Sequence, residues 1–414
     1  MNIAIWGLGV SGKSTLKYLS SQIGNTLYVI DAGPKEIWYQ EIQEYISIDN
    51  CFHQSKIPLD LKLDRIILSP GIDPDIKELV PFKRTEKICE IELAFESCDL
   101  PIIGITGTNG KTTTATLMSM AFEKAGKSVF LGGNIGVPFC EIFNSKKKFD
   151  LVVLELSSFQ LELLNKFRAR IAIILNITES HMERYSKFID YENAKLNIVN
   201  NQDHNDFFIA PKKYLEKETL ANKILLEKTE QFDFSKSRLV GDHYKYNFSV
   251  ILESLRAFDI PKPENIIQEL INTFEGVKYR LQFVGEKNEI LFYNDAKSTN
   301  SAATLSALDA FKNDKVTLIL GGKLRDEIPK LKSVFSGLKN IKRIMAFGEA
   351  GSIIVDQLKD EYDICLCSNL SDVMEKIDIS IDRLVLFSPG FPSFDLYRNY
   401  VERGEDFSEK VNLL

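Results

Sequence analysis

The chain has 414 residues, which at roughly 150 residues per domain points to about three domains. Hydrophobic residues make up 44% and charged residues 26%, so a disordered or fibrous chain is excluded. Lys and Arg number 51 against 58 Asp and Glu, and the resulting net charge of −7 lacks the basic footprint of a general nucleic-acid binder.

No apolar run approaches the roughly 18 residues of a membrane span. The opening MNIAIWGLGV has no basic n-region and reads straight into a strand, so no signal peptide is expected. The cysteines are Cys51, Cys89, Cys98, Cys140, Cys365 and Cys367. None forms Cys-x-x-Cys, and Cys365-x-Cys367 has no second pair to complete a zinc site. Reduced thiols in a cytoplasmic protein are expected.

Short apolar runs alternate with helical patterns throughout, which predicts α/β architecture with largely parallel sheets. The first segment opens with a strand over 2–6, a glycine turn and a helix over 12–21. A second strand over 26–30 ends at Asp31, and a third over 65–68 runs into Ser69-Pro70-Gly71. Near residue 90 the pattern restarts with a strand over 102–105, a second glycine turn and a helix over 111–125. Buried strands over 151–154 and 171–175 follow, and the exposed run Lys146-Lys147-Lys148 reads as a solvated loop. Phe248, Leu252, Leu255 and Phe258 fall near helical spacing, so 242–258 reads as a helix. A third restart near Gly276 brings a hairpin, 280–284 with 289–293 around Lys287-Asn288, then strands over 316–320, 343–347 and 384–387. Boundaries therefore fall near 90 and 276.

Two glycine loops compete for a triphosphate. The strict pattern G-x-x-x-x-G-K-[ST] matches once, at residues 7–14 (GLGVSGKS), which also match G-x-G-x-x-G. The second loop, Thr106-Gly107-Thr108-Asn109-Gly110-Lys111-Thr112, misses it because Ile105 stands at the first position. Glycines let backbone N–H groups close around phosphate oxygens at a helix N-terminus, a lysine reaches the terminal phosphates, and a hydroxyl serves Mg²⁺. Context favours the second loop as the ATP site, because the buried run Leu151-Val152-Val153-Leu154 ends in Glu155 within the same segment. The first loop is followed by Asp31, about 20 residues on, the dinucleotide-type arrangement; a tight turn without ligand is an equal reading of it.

Further candidates lie at strand ends. Asn294-Asp295-Ala296-Lys297-Ser298-Thr299-Asn300 follows a strand; Asp295 suits a ribose hydroxyl and Lys297 a phosphate, or the segment is a turn with a cap at Ser298 or Thr299. Glu155 at the end of a buried strand favours a metal ligand over a structural acid. His181 sits in a polar loop, where a lone histidine is usually only solvated. Lys195 lies on a helix over 190–201 and shares a face with Val199, so its head points either inward or, snorkelling, to solvent.

Taken together, the residues resemble the Mur ligases, ATP-dependent amide-forming enzymes of peptidoglycan precursor synthesis. The likeness runs in order through GLGVSG, LSPGI, GITGTNGKTTT, GGNIGVP, ELSSFQLE, NITESHMERY, YENAKL, NDAKSTN and SPGFPSFDLYRNYVERG. ELSSFQLE, LSPGI and the C-terminal motif single out the branch that adds D-glutamate to UDP-N-acetylmuramoyl-L-alanine, and the Asp-Asn-Pro-Arg signature of the diaminopimelate- or lysine-adding branch is absent from the sequence. The resemblance implies a Rossmann-like uridine-binding domain over 1–90, a central P-loop ATP-binding domain with a parallel sheet over 91–276, and a Rossmann-like amino-acid-binding domain over 277–414.

It also implies roles. Ser11, Asp31, Ser69 and Gly71 would line the uridine end of the substrate, and Asn134, Ser157 and Gln160 would face its muramoyl portion. Gly107, Thr108, Asn109, Gly110, Lys111, Thr112 and Thr113 would cradle ATP. Asn247, Arg280 and Asp295 would hold the nucleotide's adenosine and phosphate ends, with Lys297 assisting at the phosphates. Thr112, Glu155, His181 and Lys195 would serve two Mg²⁺ ions, the lysine at the Lys195 position being carbamylated in the family. Lys111, His181 and Lys195 would be the catalytic group. Thr299, Ser393 and the backbone near Tyr400 would bind glutamate, with Arg325 gripping its carboxylate and Lys323 as the rival. The partners implied are small molecules only, without nucleic acid or membrane, and the chain is expected to work as a monomer.

Departures from the family pattern stand beside these. Asp31 is followed by Ala32-Gly33 where Thr-Arg is common, and Tyr244 replaces an asparagine after His243. Three other readings stay open: a nicotinamide-dependent oxidoreductase on the first loop, a related ligase such as a folylpolyglutamate synthetase, and a nucleotide-binding scaffold without turnover.

Overall fold

A computed structural model describes residues 1–414 other than 59, 325–329 and 379. Three sheets organise the described residues. The first contains β1 (Asn2–Trp6), β2 (Thr26–Asp31), β3 (Cys51–His53), β4 (Arg65–Leu68) and β5 (Glu86–Cys89), in the order β3-β2-β1-β4-β5 and parallel throughout. The second contains β6 (Ile102–Thr106), β7 (Val129–Gly133), β8 (Leu151–Glu155), β9 (Ile171–Ile174), β10 (Phe207–Ala210) and β11 (Asn222–Leu225), again parallel, in the order β11-β10-β9-β6-β8-β7. The third contains β12 (Gln282–Lys287), β13 (Ile290–Asn294), β14 (Val316–Gly321), β15 (Ile341–Phe347), β16 (Asp363–Leu366) and β17 (Leu384–Gly390). Its order is β12-β13-β17-β14-β15-β16, and its one antiparallel pair is β12 with β13.

The α/β architecture with largely parallel sheets is as expected. Its cause is visible in β6, β8 and β14, where every residue is buried. Helices cover both faces of such strands, so the sequence reads as an unbroken apolar run rather than an alternation. In the third sheet, Leu318, Leu320 and Leu386 enter one core, while Ile319, Val385 and Phe387 enter the other. The side-chain period of two divides them.

Two compact units form. One comprises Met1–Glu230 with Lys245–Ile267 and holds the first two sheets; the other comprises Gln231–Tyr244 with Gln268–Leu414 and holds the third. Within the first unit one apolar cluster draws residues from both sheets, and Tyr18 stacks on Phe143 at 4.5 Å between ring centroids. The first sheet ends at Cys89, the second runs from Ile102 to Leu225, and the third begins at Gln282. Residues 231–244 and 268–276, however, group with the third sheet rather than the second.

Several elements differ in detail. The first helix spans Val10–Ser20, with Gly9 as its N-cap, so it begins two residues before the expected start. The hairpin turn lies at Asn288-Glu289, not Lys287-Asn288. Both residues take positive φ, 49° and 64°, as a type I′ connection demands, and Lys287 pairs with Ile290. The helix Ser301–Ala310 is capped by Asn300, whose side chain accepts from the Ala303 N–H. Ser298 does not cap it, because its hydroxyl is committed to Asp295 at 2.5 Å.

The first glycine turn is shaped by packing. A Cβ on Gly12 would overlap the carbonyl oxygen of Gly7. Gly12→Ala is therefore expected to destabilise the first unit by about 1–3 kcal/mol, the usual cost of overpacking, which urea denaturation would read. An unchanged midpoint would contradict that packing argument.

Candidate functional site

The second glycine loop leaves β6 and enters the helix Lys111–Lys124. Gly110 is the N-cap in a left-handed conformation, φ 84°, where a side chain would be strained. Asn176, just after β9, pins the loop from the side. Its backbone carbonyl accepts the Thr108 N–H at 2.8 Å, and its side-chain oxygen accepts the Asn109 N–H at 2.9 Å. The first N–H groups of the helix have no partner within it and face the loop mouth, together with the positive end of the helix dipole. The Lys111 ammonium lies folded over the loop, donating to the carbonyls of Gly107 at 2.7 Å and Thr108 at 3.0 Å.

Glu155 ends β8 beside the loop and is 3% exposed. Thr112 Oγ1 donates to its Oε2 at 2.8 Å, and Asn134 Nδ2 donates to its Oε1 at 2.8 Å. A hydroxyl and a carboxylate are hard oxygen donors of the kind Mg²⁺ takes. Among the described residues no three His, Cys, Asp or Glu side chains converge on one point, so a full ligand set would need substrate oxygens or a modified side chain.

Lys195 resolves the choice left by its helix. The helix spans Phe188–Leu196 and turns the lysine inward, where it is 2% exposed. Its ammonium nitrogen donates to Gly107 O at 3.0 Å and lies 4.7 Å above the Tyr191 ring. Burial, with Lys111 nearby, draws its pKa down to about 7, against the pull of Glu155. Tyr191 in turn meets the Thr108 hydroxyl at 3.2 Å. His181 has positive φ, 58°, its ring 6.1 Å from that of Tyr191 and 5.0 Å from that of Phe159. The other end of the loop is met by Asn247, 4% exposed, whose side-chain oxygen accepts from Thr114 at 3.3 Å. Its amide nitrogen is buried without a hydrogen-bond partner among the described residues, an orphaned donor beside the loop.

The first glycine loop is different in kind. Lys13, the lysine of the strict motif, is exposed and pairs with Glu41 at the surface. Ser14, its hydroxyl residue, is buried. Asp31 accepts the Leu8 N–H at 2.7 Å and the Gly33 N–H at 2.7 Å, and Ser69 donates to Gly7 O at 2.8 Å. These side chains tie the turn together. Ser11 is half-buried and Gly71 exposed at its rim. A cavity of about 410 Å³ adjoins the turn after β2, lined by residues including Lys35, Phe52, His53 and Ser55. Ser157 and Gln160 form a reciprocal capping box at the start of helix Ser158–Leu161, so their polar atoms serve that helix.

In the second unit, three loops follow β13, β14 and β17 at the carboxyl ends of the parallel strands, where open sheets hold ligands. Asp295 is buried; its carboxylate accepts from Ser298 at 2.5 Å, Ser388 at 2.7 Å and the Leu281 N–H at 3.2 Å. Burial raises its pKa to about 6 against these bonds and the nearby Arg280. Lys297 is exposed, its nitrogen 5.9 Å over the Tyr400 ring. Ser393 is 2% exposed in the loop after β17, and Thr299 is half-buried. Lys323 follows β14 and its N–H bonds Pro392 O at 2.8 Å. Arg325 lies outside the described residues.

Two family models match the chain: the Mur ligase middle domain over residues 105–290, and the Mur ligase MurD-like N-terminal domain over residues 1–88. The UDP-N-acetylmuramoylalanine--D-glutamate ligase of Aquifex aeolicus is 33% identical, with 100% of this chain and 99% of that protein covered. The chain belongs to the Mur ligase family. The enzyme of the same name from Hydrogenovibrio crunogenus is 32% identical over 98% of this chain and 96% of its own. Among solved structures, the MurF ligase of Thermotoga maritima in complex with ADP shares the fold at a TM-score of 0.57 and 15% identity, covering 95% and 97% of the two chains.

Mur ligases are ATP-dependent amide ligases of peptidoglycan precursor synthesis. Against that background the residues fall into groups. Lys111, Thr112, Asn134, Glu155, Lys195 and Asn247 gather around the second glycine loop in the first unit. Arg280, Asp295, Lys297, Ser393 and Tyr400 belong to the second unit. Sequence reasoning missed Asn176 and Tyr191 as loop partners. Both stood inside quoted motifs, and Tyr191 lies four residues before Lys195, one helical turn away on the same face.

Proposed function

We propose that the chain joins D-glutamate to the L-alanine carboxylate of UDP-N-acetylmuramoyl-L-alanine, converting ATP to ADP and phosphate. The observation that carries the reading is the loop of Gly107 to Thr113 with Lys111 folded over it and Glu155 buried at its mouth. The names and full-length identity of the relatives support the choice of substrates.

A free carboxylate is a poor electrophile, because an oxide cannot leave at neutral pH. Its oxygen attacks the γ-phosphorus of ATP, the bond to the bridging oxygen breaks, and ADP departs. The amine of D-glutamate adds to the acyl phosphate carbon, the tetrahedral intermediate expels phosphate, and the nitrogen loses a proton. Both steps crowd anionic oxygens, so the chain's task is charge neutralisation and positioning. In this reading Lys111 and the helix N–H groups hold the terminal phosphates, and Asn247 takes the nucleotide with its orphaned donor. Thr112 and Glu155 would hold Mg²⁺, which when bound would neutralise phosphate charge. A second ion would be served by His181 and by Lys195 as a carbamate, since the unmodified amine offers no anionic oxygen.

The first glycine turn, with the cavity at the turn after β2, would receive the uridine end, and Asn134 would face the muramoyl portion. Asp295 and Lys297 would serve the nucleotide, and Thr299, Ser393 and Tyr400 the glutamate. The reading makes the chain a cytoplasmic protein acting on small molecules as a monomer. All six cysteines are free, and among the described residues no helix is long and apolar enough to cross a membrane.

Phosphate release measured with ATP, Mg²⁺ and the UDP-muramoyl-alanine acceptor, across D- and L-amino acids, tests the proposal. Stimulation by D-glutamate alone is expected. An equal response to L-lysine or meso-diaminopimelate would move the chain to another branch of the family.

A further inference from the structure

Glu90 belongs to none of the groups above. It is the first residue of the helix Glu90–Phe95, directly after β5, and is 2% exposed. Burial pushes its carboxyl up to about 7, the mark of an acid held where solvation is poor. One carboxyl oxygen accepts the backbone N–H of Cys140, and the Glu90 carbonyl accepts the Cys140 thiol at 3.9 Å. The other carboxyl oxygen has no hydrogen-bond partner among the described residues. The Thr15 hydroxyl, from the helix Val10–Ser20, faces the same thiol.

Cys140 closes the loop that β7 opens. At the near end, Asn134 gives its backbone N–H to Glu155 O at 2.8 Å and its side-chain amide to Glu155 Oε1. The loop turns back on itself where the Gly133 N–H meets Val137 O at 3.0 Å, and Gly136 takes φ 69°. At the far end, Phe139 and Cys140 are fully buried. Between these anchors Asn134, Gly136 and Val137 are exposed. The loop is thus fastened at one end to the acid beside the phosphate loop, and at the other to an acid at the edge of the first sheet.

We propose that Glu90 is a positioning residue: by pinning Cys140 it sets where the loop of residues 133–140 presents Asn134, and so fixes the spacing between the uridine and muramoyl subsites of one substrate. This rests on the function proposed above. The first sheet carries the turn for the uridine end, and Glu90 leaves that sheet directly. A substrate bridging both places gains affinity only if the two are held at its own length, because any adjustment on binding is subtracted from the interaction. Glu90 acts through the backbone, one carboxyl oxygen holding the Cys140 N–H.

The test compares Glu90→Gln and Glu90→Leu by steady-state kinetics, varying each substrate separately, with thermal unfolding alongside. Glutamine keeps an oxygen for the Cys140 N–H, so its KM for the UDP-linked substrate is expected within about two-fold of wild type. Leucine removes the pin, and that KM should rise about ten-fold or more, with the KM values for ATP and D-glutamate within about two-fold. Should the leucine variant fail to fold, Glu90→Asp keeps the carboxyl but withdraws it by one methylene, and the same selective rise is expected. A lowered melting temperature with all three KM values unchanged would overturn the role, since it would leave Glu90 a purely structural residue. An equal rise in all three would do the same. Absence of wild-type turnover would overturn the proposed function first, and this role with it.

Discussion

Lys111→Ala is expected to reduce phosphate release by on the order of 10²–10³-fold or more, while Lys13→Ala stays near wild type. The contrast matters because the strict P-loop motif contains Lys13 and excludes Lys111. The difference lies in where each nitrogen sits. Lys13 is exposed and engages Glu41 at the surface. Lys111 is folded over the carbonyls of Gly107 and Thr108, and the same loop reaches Glu155 through Thr112. At the second loop a cation, helix N–H groups and the paired oxygens of Thr112 and Glu155 stand together. At the first loop Asp31 already occupies two turn N–H groups with a negative charge. Lys111→Arg keeps the charge but not the compact head or its reach, so it should recover only part of the rate. The measurement is phosphate release at saturating substrates, with unfolding midpoints to show that all three variants fold. Near-normal activity in Lys111→Ala, or its loss in Lys13→Ala, would reverse the assignment of the two loops.

Much of the fold was legible because buried parallel strands leave a strong signal. The runs at β1, β4, β6, β8, β9, β14 and β17 were all placed within a few residues, since covering both faces requires uninterrupted apolar residues. The strands that escaped are mostly short or at edges. β3 has three residues, β11 reads Asn222–Leu225 with two exposed residues before its one half-buried position, and β16 reads Asp363–Leu366 with both ends exposed. An edge strand needs to bury little, so its sequence carries little. β7 is a different failure: it ends in Gly132-Gly133, and glycines there read as a loop, although the backbone needs them to pass Glu155 and Val137 closely.

The site was legible where chemistry is dense in sequence and dim where one side chain does two jobs. Glu155 after an apolar run and Lys111 in a glycine loop announce themselves. Ser157 and Gln160 illustrate the opposite: they stand in a motif of the family, yet their polar atoms close a helix cap. Glu90 gave no signal, because an acid opening a helix is ordinary on electrostatic grounds, and only its burial reveals a further use. Lys195 lay between. Helical spacing allowed an inward head, but a snorkelling lysine has the same pattern, and only packing against Tyr191 decides.

Lys195→Met is expected to lose phosphate release by about 10²-fold or more, and yet, in bicarbonate-free buffer where the wild-type lysine is a plain amine, to melt at a higher temperature than wild type near pH 7. The stability half follows from linkage. Burial and Lys111 lower the folded pKa of this amine to about 7 from its ordinary value of 10.5. Below about 7 the unfolded chain and the folded one both carry the proton, and the folded state bears the full cost of a buried ammonium. Between about 7 and 10.5 the unfolded chain binds more protons, so stability rises with pH and the cost fades. At about 1.4 kcal/mol per pK unit the cost near neutrality is on the order of a few kcal/mol, and methionine removes it. The activity half follows from what a neutral amine can do. In the proposed reading its lone pair would add to CO₂, losing a proton, and the resulting carbamate would replace a cation beside Lys111 by an anion. Stripping bicarbonate should therefore lower the activity of the wild-type enzyme, restoring it should recover the rate, and ¹³C-labelled bicarbonate should give a carbamate carbon signal that the methionine variant lacks. Full activity in Lys195→Met would remove the residue from the chemistry altogether. Full activity in bicarbonate-free wild type, without the carbon signal, would leave Lys195 as an amine that orders Gly107 and Tyr191 and nothing more.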